Sequence, residues 1–282
     1  MKELKGTSFE IRDNKTIKLG VIDLSFHRAT AAVITKVVEI LGFIVVRSYS
    51  LHEEAFRQLK TGDIDMVASA WLPHSHGIYK EDVEQSVATA ELGVHYEPFA
   101  YWGVPHYIPQ DLVDSVDDLR KPDIKVRMKK VIQGIGPGAG ITRFSIQMME
   151  EYALSEAGYS FRLGTLDDCI GAFENLVTEQ AWGVVPLWQP QLLNHRHLIR
   201  PLKDPKGLLR GADNAVLLAR NDRIQVFSPS ELKVLANISL SNKVVSELDF
   251  LINRENKSAD DAADVWLKNN PAILRAWMKP VF

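Results

Sequence analysis

Two spacings of apolar residues alternate along this chain. Thr16 to Ile22 is apolar at Ile17, Leu19, Val21 and Ile22, the near-alternation of a strand. Ala29 to Leu41 changes to helical spacing, apolar at 33, 34, 37, 38 and 41, and Gly42 ends it. Phe43 to Val46 predicts a second strand, Leu51 to Lys60 a helix and Ile64 to Ala70 a third strand. Strands alternating with helices predict parallel sheets flanked by helices. The same order returns later: a helix from Ile141 to Tyr152, a strand from Tyr159 to Leu163, a helix from Asp167 to Val177 and a strand from Gly183 to Leu187.

Each series ends on the same corner, Trp71-Leu72-Pro73 in one and Trp188-Gln189-Pro190 in the other. Fifteen residues before each Trp stands a Phe, in Ala55-Phe56-x-x-Leu59 and Ala172-Phe173-x-x-Leu176. Further back, Gly42-Phe43 matches Gly158-Tyr159. A unit repeated once at so long a period suits two similar lobes rather than a solenoid. Between them, Glu97 to Pro105 is an aromatic strand bracketed by prolines, the first crossing between lobes. Asp114 to Arg120 predicts a short helix, Lys121 to Lys130 a basic surface, and Ala212 to Leu218 a strand returning to the first lobe. The remainder is helical, with Ser228-Pro229 a good helix start, then Ser241 to Arg254, Ala259 to Lys268 and a last helix after Asn270-Pro271. The fold class expected is α/β and two-lobed, each lobe a mostly parallel sheet with a cleft between. Lobe I comprises 1–103 and 214–282, lobe II 104–213, and the hinge crossings lie near 99–105 and 211–217. Residues 1–15 are polar and expected to fray.

Composition changes this picture little. The 282 residues are 46% apolar and 24% charged, ordinary for a globular protein. A net charge of −3 without a basic block argues against nucleic acid as a partner. The single Cys169 excludes an internal disulfide and reads as a buried small residue. No run is long and apolar enough for a membrane helix, and the first twenty residues lack the core of a secretory leader. The expected location is therefore extracytoplasmic if a leader has been removed, and cytoplasmic if Met1 is the native start.

In open parallel sheets ligands bind beyond the carboxyl ends of the strands, where both Trp corners fall. Trp71 and Trp188 are therefore expected to approach across one cleft, with Phe26, Tyr101 or Trp102 completing an aromatic box and Tyr96 a further ring at hand. Such faces favour a quaternary ammonium, each contact worth ~2 kcal/mol when desolvated. Backbone amides at Leu24, Ser25 and Phe26, where a helix begins, can accept an anionic end of the ligand. His27 and His74 stand beside these elements as further donors. The loop Gly134 to Gly140 reads either as a second anion site or as a tight strand-to-helix turn; it has neither GxGxxG nor Gly-Lys-Ser/Thr. The pairs His74-x-His76 and His195-x-His197 are a weak metal signal, because zinc needs three or four ligands in fixed geometry. No catalytic motif is present and no cofactor is expected, which leaves a binding protein before an enzyme; Trp182, Trp266 and Trp277 read as packing.

These residues resemble a known family. Asp65 to Pro73, Val184 to Pro190, Ile132 to Gly140 and Asp204-Pro205-Lys206-Gly207 are similar to segments of the glycine betaine/choline substrate-binding proteins of ABC transporters, over roughly residues 16–270. The resemblance implies a monomer of two lobes that closes on a trimethylammonium ligand in an aromatic box, holds a carboxylate with first-loop amides, and docks on a membrane permease. Two features depart from the family: Phe26-His27 stands where a Trp is common, and Pro190-Gln191-Leu192 where Pro-His-Trp is common. The ligand implied is betaine, choline, carnitine, a sulfonio analogue or trimethylamine N-oxide. A cytoplasmic sensor or carrier of such amines, and a histidine-dependent metalloenzyme, are the alternatives.

Overall fold

The computed structural model describes residues 15–281; apart from Lys15, the segment expected to fray lies outside them. In chain order the first elements are β1 (Thr16–Ile22), α1 (Ser25–Ile40), β2 (Ile44–Ser50), α2 (His52–Thr61), β3 (Met66–Leu72), α3 (Gly77–Glu84), β4 (Thr89–Tyr96) and β5 (Phe99–Pro105). Then come α4 (Pro122–Lys125), β6 (Val131–Gln133), α5 (Gly140–Glu151), β7 (Ser160–Arg162), α6 (Leu166–Glu179), β8 (Val185–Gln189), α7 (Leu192–Arg196) and β9 (Ile199–Pro201). The chain closes with β10 (Asn214–Arg220), α8 (Pro229–Asn237), α9 (Asn242–Arg254), α10 (Ala259–Asn269) and α11 (Pro271–Met278). No helix among the described residues is long and apolar enough to cross a membrane.

The first body is built on a sheet ordered β2-β1-β3-β10-β4. Strands β1, β2 and β3 run parallel, and β10 lies antiparallel between β3 and β4. One face packs on α1, whose Val33, Ile34, Val37 and Val38 are fully buried as their spacing predicts. The other face packs on α2 through Ala55, Phe56 and Leu59. β10 is thus the expected return strand, while α3 and β4 are additions that the sequence pattern does not mark.

The second body departs from the expected repeat. β6 and β7 pair in parallel, as β1 and β2 do. β8, however, pairs antiparallel with the crossing strand β5, and β9 lies on β5's other side. Helix starts follow local chemistry: Thr165 and Asp168 make a reciprocal capping box at α6, as do Ser228 and Glu231 at α8. Trp266 and Trp277 stack on each other in the core at 6.0 Å, the packing role expected of them.

Candidate ligand-binding site

The site begins with an irregularity in β3. Met66 and Ala68 face the α1 side of the sheet while Val67 faces α2, as alternation requires. Beyond Ser69 the parity is inverted: Ala70 and Leu72 join the α2 side and Trp71 the α1 side. Ser69 has φ of 61°, and the pairing register with β10 slips between Val216 and Leu218. One extra residue on β3 makes a bulge, which re-aims the side chain that follows. Its effect is to turn the Trp71 indole toward the first turn of α1.

There Trp71 meets Phe26, with ring centroids 5.5 Å apart, and Phe26 in turn meets Trp188 at 5.6 Å. The two indoles are thus joined through Phe26, which lies between them. Trp71 is 8% exposed and Trp188 2%. The rings line a cavity of about 20 Å³ together with Leu24, His27, His52, Ser75, His76, Ala100, Ile135, Ala139, Gly140 and Ile141. That volume holds about one water, so a trimethylammonium group requires the rings to part.

Two helices, one from each body, aim their first turns at this cavity. α1 begins at Ser25, four residues earlier than the apolar spacing suggests, and has no side-chain cap; α5 begins at Gly140, also uncapped. Their leading N–H groups and dipoles favour negative charge at the same place. No carboxylate stands among the lining residues. The loop 134–140 is a strand-to-helix turn, and its Ile135, Ala139 and Gly140 form part of the wall.

The corner after β3 is fixed from the second crossing. The Asp213 carboxylate accepts the His74 N–H at 2.6 Å and the Ser75 N–H at 3.0 Å. Asp213→Ala leaves two amides unpaired and should cost roughly 2 kcal/mol of stability. Urea unfolding reads this, and an unchanged midpoint would show that the corner holds without it.

Several expected site residues stand elsewhere. Tyr101 donates to Asn194 Oδ1 at 2.6 Å, and Trp102 Nε1 donates to Ser145 Oγ at 2.9 Å; neither lines the cavity. The pleat of β5 explains both. Ala100 is the β5 residue that reaches the cavity, Tyr101 projects from the opposite face, and Trp102 lies one repeat deeper, against α5. Ser25 is buried at the start of α1 but outside the wall. His74 is replaced in the wall by His76, because the corner turns His74 toward Asp213 through its backbone. Tyr96 stands behind the wall, its hydroxyl accepting the Trp71 Nε1–H at 3.1 Å.

The histidine pairs are not brought together either. His195 packs on Phe250 and His197 on Phe173. Instead His76 joins His27 and His52, with one ring nitrogen of each within 4.8 Å of the others. Burial holds all three far toward the neutral form. His27 and His76 lie well below the usual imidazole value, and His52 falls to about 4, with Arg143 adding to the effect at His52 and His76. His52 begins α2 and offers no pattern of its own, so nothing in the sequence marks it.

Contacts also cross between the bodies near the cavity. Arg143 of α5 donates through Nη2 to the Ser75 carbonyl, and Tyr79 of α3 donates to the Gly138 carbonyl at 2.8 Å. On the far side, the Asp249 carboxylate of α9 accepts the Leu192 N–H of α7 at 2.7 Å.

Comparisons with known proteins bear on the family and the fold. The profile of the OpuAC family, the substrate binding domain of ABC-type glycine betaine transport system, matches residues 15–269. The chain is 24% identical over 157 residues to the glycine betaine/carnitine transport binding protein GbuC of Listeria monocytogenes, a match covering 56% of this chain and 52% of that one. It thus spans about half the length of that relative. The fold is similar to lactococcal OpuAC in its closed-liganded conformation complexed with glycine betaine, with a TM-score of 0.80 at 23% identity over 94% of this chain and 100% of that one. It is similar to the glycine/betaine/L-proline-binding protein ProX of Borrelia burgdorferi, with a TM-score of 0.81 at 23% identity over 93% and 96%. An ABC-transporter choline binding protein in complex with choline gives 0.79 at 19% identity over 95% and 92%. By the profile match over most of its length, the chain belongs to the family of substrate-binding domains of ABC-type glycine betaine transport systems.

Proposed function

We propose that the chain is the substrate-binding component of an ABC transporter for glycine betaine or a closely related quaternary ammonium zwitterion. The observation that carries the reading is the meeting of Trp71, Phe26 and Trp188 at one cavity with no carboxylate in its wall. A cation there is held by ring faces, and the two uncapped helix starts suit an anionic group on the same molecule. The protein acts as a monomeric binder rather than an enzyme, on the outer side of the membrane, and its closed form docks on the permease.

Closure moves residues 15–98 and 214–281 against 99–213, with the crossings near Pro98 and Asp213. Arg143 on Ser75 and Tyr79 on Gly138 latch the near side. Gly140 is needed for the approach itself, since a Cβ there would stand 2.8 Å from Ser75 Cα. Gly140→Ala should therefore prop the cleft and weaken ligand at least tenfold with little change in melting temperature; full affinity in calorimetry would remove this account of closure.

The reading itself is tested by thermal shift against glycine betaine, carnitine, choline, a sulfonio analogue and trimethylamine N-oxide. Binding to the folded state raises the melting temperature. A rise with glycine betaine supports the proposal, and no rise with any of the five overturns it.

A further inference from the structure

Three histidines converging on one point can do one of two things. With lone pairs inward they hold a metal ion, and with N–H groups inward they offer donors to an acceptor. The outer nitrogens decide, because a neutral ring carries one proton only. His76 Nδ1 lies 2.9 Å from the Trp71 backbone N–H. An amide can only donate, so Nδ1 accepts and the His76 proton sits on Nε2.

His27 Nδ1 lies 3.1 Å from Ser69 Oγ, and a hydroxyl can act either way. Here the hydroxyl belongs to a longer buried chain. Trp71 Nε1–H, which can only donate, is spent on the Tyr96 oxygen at 3.1 Å. The Tyr96 hydroxyl is in short contact with Ser69 Oγ, where either oxygen can donate, and it also bonds the Thr30 side chain. With Tyr96 donating to Ser69, Ser69 gives its proton to His27 Nδ1, which leaves the His27 proton on Nε2. Every donor in this buried chain has an acceptor. Ser69 is also the bulge residue at φ 61°, a backbone conformation rare outside glycine and found where function constrains it.

We propose that Ser69 is a positioning residue. Through the relay Trp71–Tyr96–Ser69 it fixes the His27 proton on Nε2, so that His27 and His76 together present two N–H donors to an acceptor group of the ligand. The inference rests on the quaternary-ammonium reading of the cavity and sharpens it. The ligand is a zwitterion with a carboxylate, and the relay sets the preference for glycine betaine over choline, whose hydroxyl is a neutral and weaker acceptor. Burial supports the arrangement by keeping both rings neutral.

The test uses protein with ¹⁵N-labelled histidine, wild type, Ser69→Ala and Ser69→Gly. The glycine variant removes the hydroxyl while relieving the backbone at this φ, so it carries the test if the alanine variant folds poorly. Long-range ¹H–¹⁵N spectra should show His27 and His76 as Nε2–H in the wild type. In both variants His76 should stay so, while His27 becomes a mixture of tautomers. Calorimetry should show glycine betaine weakened about tenfold and choline less than twofold.

His27 protonated on Nδ1 in the wild type overturns the relay, as do equal losses for the two ligands. Stoichiometric zinc binding by chelator-stripped protein, with loss of the Nε2–H signals, overturns the donor reading in favour of a metal site. If the wild type binds neither ligand, the functional reading fails, and the tautomer spectra still decide the relay by themselves.

Discussion

Trp188→Ala should weaken glycine betaine by about 30-fold to 1,000-fold, while Trp182→Ala leaves affinity within a factor of two. A ring face on a desolvated ammonium is worth ~2 kcal/mol or more, and each 1.4 kcal/mol is a factor of ten. Losing Trp188 also removes one of the three rings in contact with Phe26, which loosens its place. Trp182 is only partly buried and takes Arg127 at 5.2 Å on its own face, outside the cavity wall. Trp188→Ala costs stability, roughly 3–5 kcal/mol for a large buried aromatic, and the partly buried Trp182 costs less, so affinities are to be read by calorimetry well below each variant's melting point. Equal losses for the two variants would dissolve the aromatic box. Trp188→Phe, which keeps a ring, should recover most of the loss.

Melting temperature should fall steeply as pH drops from 6.5 toward 4. His27, His52, His76 and His95 are all held neutral by burial, with His52 and His95 at about 4. Unfolded, each takes a proton near 6.5, so between the two values the unfolded state binds more protons. The stability these groups contribute is present above 6.5 and is lost as pH falls. Asp249 opposes this: burial raises its carboxyl to about 6, so over the range from about 4 to 6 the folded state holds the extra proton. Four groups against one leave a net loss of roughly 4 kcal/mol per pH unit at the steepest point, against a total of about 5–15 kcal/mol for a typical domain. A melting temperature that stays level from pH 7 to 5 would contradict the neutral cluster. His52→Phe should flatten the curve in part.

What could be read in the sequence was what a local pattern carries. Proline two residues past each Trp marks a strand end, so both corners were legible, and so was the buried face of α1. The α1 start was not, because Phe26 and His27 enter the helix without a capping side chain to announce it. β8 pairs with β5 although its sequence copies that of β3, and strand partnership is a tertiary choice that two similar motifs do not share. Tyr101 and Trp102 look as available as Phe26 in one dimension, and only the pleat of β5 sorts them. His52 and His76 lie 24 positions apart on separate elements, and their meeting with His27 exists in three dimensions alone.

The inserted residue at Ser69 has a consequence for anyone transplanting this recognition element. A strand grafted from another scaffold with the same five residues before Trp-Leu-Pro but run regular, without the bulge, would offer its indole to the layer beneath α2. Phe26 would then face a methyl group where it now meets a ring. The unit of inheritance is therefore the whole stretch from Met66 to His76, insertion included, rather than the tripeptide that catches the eye.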